Sequence, residues 1–141
     1  MQFFKGMNIS ATGIEASRMR MEAASMNLAN AESSSPDPNG AYRARRVKLG
    51  EAVETFQESL WLKSRPIGVQ AEEFQTQEPP QVHFDPTHPD ADENGLVYLA
   101  NVDVTSELSE LMAARRAYEA GLAAYTQSRE TFRSTLEILR S

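Results

Sequence analysis

The sequence predicts an α+β fold in which two long terminal helices, packed as a coiled-coil pair, flank a small, mostly β central module. Three observations carry that expectation. An apolar stripe stepping alternately by four and three residues runs over residues 104–139, and a second stripe with a seven-residue repeat runs through the N-terminal stretch. Between them, Pro and Gly cut the chain into short alternating pieces too brief for helices. The expected division is 1–31 for an N-terminal assembly helix, 32–100 for a loop and β-rich module, and 101–141 for a C-terminal assembly helix.

Residues 3–31 read as the first helix. Met7, Ile14, Met21 and Leu28 fall seven apart, and the positions beside them (Ser10, Ala11, Ser17, Ala24, Ser25) are small. Small residues next to large ones let a second helix approach closely, so the partner surface is expected to be helical. A Met-containing stripe at this spacing suits a packed core better than a cofactor box. The helix is expected to stop at Asn30, Ala31 and Glu32, because residues 33–40 are a dense run of Ser, Pro, Asp, Asn and Gly.

The middle reads as strands at 42–49, 69–74, 81–84 and 96–99, punctuated by Pro79, Pro80, Pro86, Pro89 and Gly95. Residues 51–63 fit two readings, since Leu49, Val53, Phe56 and Leu60 also match a helical spacing.

The C-terminal stripe is Val104, Leu108, Leu111, Arg115, Tyr118, Leu122, Tyr125, Arg129, Phe132, Leu136 and Leu139, with no Pro in the segment. Only Arg115 and Arg129 interrupt it. A single helix of this length cannot offset its own ordering entropy by wetting such a face, so the seam requires partners. Arginine at a seam position is tolerated when its planar fork reaches a carboxylate on another helix. Arg115 is therefore expected either to meet Glu107, Glu110 or Glu119 of an adjacent copy or to face a solvated channel.

Composition excludes several classes. The chain has 141 residues, 40% hydrophobic and 24% charged, with no apolar run that would span a membrane. The N-terminus has only Lys5 before an interrupted apolar patch and lacks a signal-peptide core, so if the protein leaves the cytoplasm it is not expected to use that route. There are no cysteines, which removes disulfides and thiol chemistry. The net charge of −6 is unevenly spread, with ten acidic residues and no Lys or Arg between Pro66 and Ala114. Arg43, Arg45, Arg46 and Lys48 crowd into one short segment. That basic patch reads either as a solvated face or as a match for the acidic belt of another copy. Nucleic acid is not expected, because an acidic chain with one short basic cluster lacks the usual footprint.

His83, Asp85, His88, Asp90 and Asp92 are residue types that bind metal, and Asp90-Ala91-Asp92-Glu93-Asn94-Gly95 resembles the opening of a calcium loop. The twelfth position of such a loop is Asn101 where a bidentate Glu is required, and Asx-rich turns before a strand account for the run more simply. No Gly-rich phosphate loop, nucleophile elbow or Cys/His pair is present. No catalytic residue, metal, cofactor or small-molecule substrate is therefore expected.

Two motifs resemble a known family. Residues 25–33, Ser-Met-Asn-Leu-Ala-Asn-Ala-Glu-Ser, are similar to the N-terminal signature of bacterial flagellar axial proteins. Residues 85–95, then Asn101-Val102-Asp103 and residues 112–120, resemble the FlgC (proximal rod) family of the flagellar basal body, and the likeness covers essentially the whole chain. Ala100, Gly121 and Leu96 stand where that family usually has Pro, Asn and Tyr. The resemblance implies a non-enzymatic structural subunit of the proximal rod, exported unfolded by the flagellar type III system. Such subunits stack helically across the periplasm into the drive shaft that transmits torque. Their terminal helices line the inner tube and the central domain faces outward.

Implied partners are copies of itself, other flagellar rod proteins and the export and base components of the basal body. The resemblance also implies that Asn27 and Asn30 sit at inter-subunit contacts, and Asn101 and Asp103 of the second motif are expected in the assembly interface beside them. Together with Met7, Ile14, Met21, Leu28, Leu108, Leu111, Arg115, Tyr118, Leu122, Tyr125, Phe132, Leu136 and Leu139 from the seams, these form the expected assembly interface. The alternatives are another axial protein of the rod or hook and, from a different class, a calcium-binding module.

Overall fold

The computed structural model describes residues 2–54 and 65–140. Its elements are helix α1 (Gln2–Ala29), strands β1 (Ser34–Ser35), β2 (Arg45–Glu54), β3 (Arg65–Gln75), β4 (Gln81–Phe84) and β5 (Leu96–Leu99), and helix α2 (Val104–Arg140). Two long helices thus flank a small β module, as the patterning indicates. Of the stretch 51–63 that fitted two readings, residues 51–54 belong to β2 and the remainder lies outside the described residues.

Both helix ends are closed by local chemistry. At the end of α1, the Asn30 side-chain amide donates to the Met26 carbonyl at 2.8 Å and the Ser33 hydroxyl donates to the Asn30 carbonyl at 2.7 Å, each adding a second bond to a terminal carbonyl that also accepts a backbone N–H. At the start of α2, Asp103 is the N-cap, its carboxylate accepting from the Thr105 N–H at 3.1 Å.

Three strands form one sheet in the order β1-β5-β4, and β2 pairs with β3 in a separate two-stranded sheet. β4 and β5 are antiparallel, with Val82 opposite Tyr98 and Phe84 opposite Leu96. β1 pairs Ser34 with Leu99 and Ser35 with Tyr98. The run of turn formers around it conceals this strand in the sequence, since two serines carry no periodicity. The loop 85–95 that returns from β4 to β5 closes through Gly95, whose φ of 76° is left-handed and whose missing Cβ makes room for Pro86 and the Phe84 ring.

The chain divides into two compact units. One comprises residues 20–47 and 73–112. Its core gathers Ala44, Ala100 and Val102, with Ala31 and Tyr42 packed against them. The other comprises residues 1–19, 48–72 and 113–141. In it α1 and α2 run antiparallel, Gly6 facing Ser128 and Ile14 facing Gly121. A Cβ on Gly121 would lie 2.9 Å from Ile14 Cγ1, so glycine here admits the isoleucine. Within this unit β3 is seated on α1 by Thr12, whose hydroxyl accepts from the Val69 N–H at 3.0 Å and donates to the Ile9 carbonyl at 2.8 Å. A Cβ on Gly68 would come within 2.3 Å of that hydroxyl.

Candidate assembly site

The most ordered polar constellation lies in the unit formed by residues 20–47 and 73–112, around Asn27. Its side chain is fully buried. The amide nitrogen donates to the Arg45 carbonyl at 2.8 Å and to Glu107 Oε2 at 2.9 Å. The amide oxygen accepts from the Arg45 N–H at 2.7 Å and from the Tyr42 hydroxyl at 2.9 Å. Both donors and both lone pairs of the amide are used, which is the full capacity of an asparagine. By bonding the N–H and the C=O of one residue, Asn27 does to Arg45 what a neighbouring strand would do.

Glu107 is also fully buried, in the first turn of α2. Its second oxygen is paired with the Arg46 guanidinium. Arg20 Nε donates to Glu110 Oε1 at 2.7 Å, and that bond holds the Arg20 pKa above its ordinary value. Arg45 reaches Glu73 at 3.1 Å, although its Nε is buried without a partner. Burial raises the Tyr42 hydroxyl, chiefly by desolvation. An open cleft of about 290 Å³ beside these groups is lined by Arg20, Arg45, Arg46, Ser106, Glu107 and Glu110, among others. These charges are committed to one another. The arrangement holds α1, β2 and α2 together.

The loop before β5 is built of Asx turns. Asp85 Oδ1 accepts from the Thr87 N–H and hydroxyl, and Asp92 Oδ1 accepts from the N–H groups of Asn94 and Leu96 at 2.8 Å. These bonds lower both aspartate pKa values below the usual 3.8. Asp90 accepts from the Ser34 hydroxyl, and His88 Nδ1 accepts from the Asp90 N–H.

The comparisons with known proteins fit this framework. Residues 93–138 match the family model described as flagellar basal body rod FlgEFG protein C-terminal. Over nearly its whole length, the chain is 36% identical to the flagellar basal-body rod protein FlgC of Aquifex aeolicus, across 97% of each chain. The chain belongs to the FlgC family of flagellar basal-body rod proteins. FlgC of Borreliella burgdorferi is 31% identical across 99% of both chains, and FlgC of Salmonella typhimurium 30% across 93% of both. As a member of this family, the chain is a structural protein of the bacterial flagellar basal-body rod. Among the described residues no helix is long and apolar enough to cross a membrane.

The structure sorts the residues singled out in the sequence. Met7, Ile14, Met21 and Leu28 are half-buried along α1. On α2 the stripe divides. Leu111, Tyr118, Tyr125 and Phe132 are half-buried, whereas Leu108, Arg115, Leu122, Arg129, Leu136 and Leu139 are exposed. The other inward line of α2 consists of Ala114, Gly121 and Ser128, seven apart, which the apolar pattern does not register. Their spacing matches the small line on α1, of which Ser17 and Ala24 are buried. Asn27 is enclosed by its own chain, and Asn30 caps its own helix. Asn101 bridges Gln81 Nε2 and the Pro79 carbonyl, both at 3.2 Å, and Asp103 caps α2.

Arg115 pairs with Glu119 one turn along its own helix at 3.0 Å, and both side chains are largely exposed. Two of its other candidate acceptors, Glu107 and Glu110, are bonded to Arg46 and Arg20 of the same chain. The basic segment is likewise partly neutralised from within, through Arg45 with Glu73 and Arg46 with Glu107.

Proposed function

We propose that this chain is a proximal-rod subunit that assembles helically, with copies of itself and with neighbouring rod proteins, through the outward stripe of α2, and that it transmits torque without catalysing a reaction. The observation that supports this reading is the exposure of that stripe. Leu108, Leu122 and Leu136 are 44%, 48% and 43% exposed, on a helix whose opposite side already has an intramolecular partner. A row of large apolar residues along one helix face marks an interaction surface. Export through the flagellar type III route and placement across the periplasm follow from the family and belong to the same proposal. Asn27, Asn30 and Asp103 act beneath the interface, by fixing the helix ends from which the contact surface rises.

Replacing Leu122 with Asp tests the proposal. In a helix interface an uncompensated carboxylate costs several kcal/mol, roughly 3 or more. Rod assembly and swimming are expected to fail, while circular dichroism of the isolated chain stays unchanged. The control is Glu137→Ala, which should swim normally. Normal motility of Leu122→Asp would remove the stripe from the interface.

A further inference from the structure

We propose that the outer face of the β4–β5 ladder is the seat for α2 of a second copy, and that the cationic part of the outward stripe occupies it. The inference rests on the rod-subunit reading above and adds the surface that the stripe contacts. β4 is an edge strand. Strand alternation puts Val82 and Phe84 on the same face as Tyr98 and Leu96, opposite to buried Val97. Val82 is 57% and Phe84 67% exposed, an unusual state for two adjacent large apolar positions in a sheet.

Around this patch the charge has one sign. Asp85, Asp90, Asp92 and Glu93 lie in the loop between its two strands, and residues 73–112 contain nine acidic residues and no Lys or Arg. The Asx turns and Gly95 hold the loop in shape, so an occupant does not have to order it. An apolar patch with an anionic rim selects an occupant that is apolar along one line and cationic beside it.

The chain itself supplies such an occupant. Leu122, Arg129, Arg133, Leu136 and Arg140 are separated by steps of seven, four, three and four, which align them on one helix face, and all are exposed. Residues 113–141 contain five arginines against three glutamates. A contact between the sheet patch of one copy and the helix stripe of another joins unlike surfaces, and each copy keeps one of each surface free. Such contacts propagate along a helical line instead of closing a dimer, which is the growth mode of a rod.

Disulfide trapping tests the proposal, because the chain has no cysteine of its own. Val82→Cys and Leu136→Cys chains of different tagged size are co-expressed in cells lacking the parent chain, and isolated basal bodies are oxidised. The mixed dimer is expected to exceed either like-with-like dimer by about fivefold or more. Arg133→Glu in the Leu136→Cys chain should lower its yield about threefold or more, and Glu93→Arg in the Val82→Cys chain should restore it. Motile cells that give no mixed dimer overturn the proposal while leaving the rod-subunit reading intact. A mixed dimer indifferent to both charge reversals, or like-with-like dimers alone, also overturn it. If the cysteine variants do not swim, the same yields are read on mixed purified chains at high concentration, where absence of the mixed species is equally decisive.

Discussion

The two units hold stretches of the same two helices by opposite means. Where residues 20–47 and 73–112 fold together, the helices are tied by polar groups, buried Asn27 with buried Glu107 and half-buried Arg20 with Glu110. Where residues 1–19 and 113–141 fold together, they meet through small residues, with Ile14 over Gly121 and Ser128 opposite Gly6. Polar ties are specific but costly to break, because each buried group left without its partner bears its desolvation penalty. Small-residue packing is tolerant of chemistry but not of volume. The first kind of contact therefore fixes one geometry, and the second lets helix backbones come close.

Four substitutions, two of them combined, and one titration test that contrast. The largest effect is expected from Asn27→Ala, which removes the amide's bonds to the Arg45 backbone, the Tyr42 hydroxyl and Oε2 of buried Glu107. A loss of about 3–5 kcal/mol in urea denaturation is expected, and a loss below about 1 kcal/mol would show that the polar tie is not what secures this unit. Next is Gly121→Leu, expected to cost about 1–3 kcal/mol by overpacking against Ile14. Combining it with Ile14→Ala should recover part of the loss, giving a coupling above about 0.5 kcal/mol in a double-mutant cycle. Strict additivity would mean that the two residues do not share space.

Acid should distinguish the units as well. Asp92 has its pKa depressed by the Leu96 N–H, so its contribution is complete above the ordinary value of 3.8 and is lost as pH falls through the lower folded value. Amide resonances of Asn94 and Leu96 should be steady at pH 5 and move only below about 3.8, while those of Gly121 stay fixed. Movement already at pH 5 would contradict the assigned bonds. The smallest effect is expected for Arg115→Lys. Its pair with Glu119 is solvent-exposed, and the isolated chain should change by no more than about 0.5 kcal/mol.

Much of the fold is legible from periodicity. The helices and the strands at 81–84 and 96–99 emerge because alternation, Pro and Gly act locally. The phase of the C-terminal stripe is harder to read. Leu111, Tyr118, Tyr125 and Phe132 border two lines at once, one of small residues that turns inward and one of leucines and arginines that stays exposed. Hydrophobicity points toward the leucines, whereas close packing selects Ala114, Gly121 and Ser128. Pairing the small line of one helix with an equal line on the other would have resolved it. The ion pairs were illegible for a different reason. Arg46 and Glu107 are 61 residues apart, and nothing local distinguishes a carboxylate that will be buried from one that will be wet.

Asn27 has a consequence for how this chain tolerates change in length. Its amide grips the N–H and C=O of Arg45, and along an extended strand these groups alternate in direction from one residue to the next. A slip of β2 by one residue would present the amide with a backbone pointing away, and only a slip by two would restore the match, moving Arg46 off Glu107 as it did so. Aspartate lacks the donor, and glutamine is one methylene too long to sit in the same place. The turn at 36–40 can thus gain or lose residues by bulging outward, while the parity of the strand that follows stays locked by one side chain.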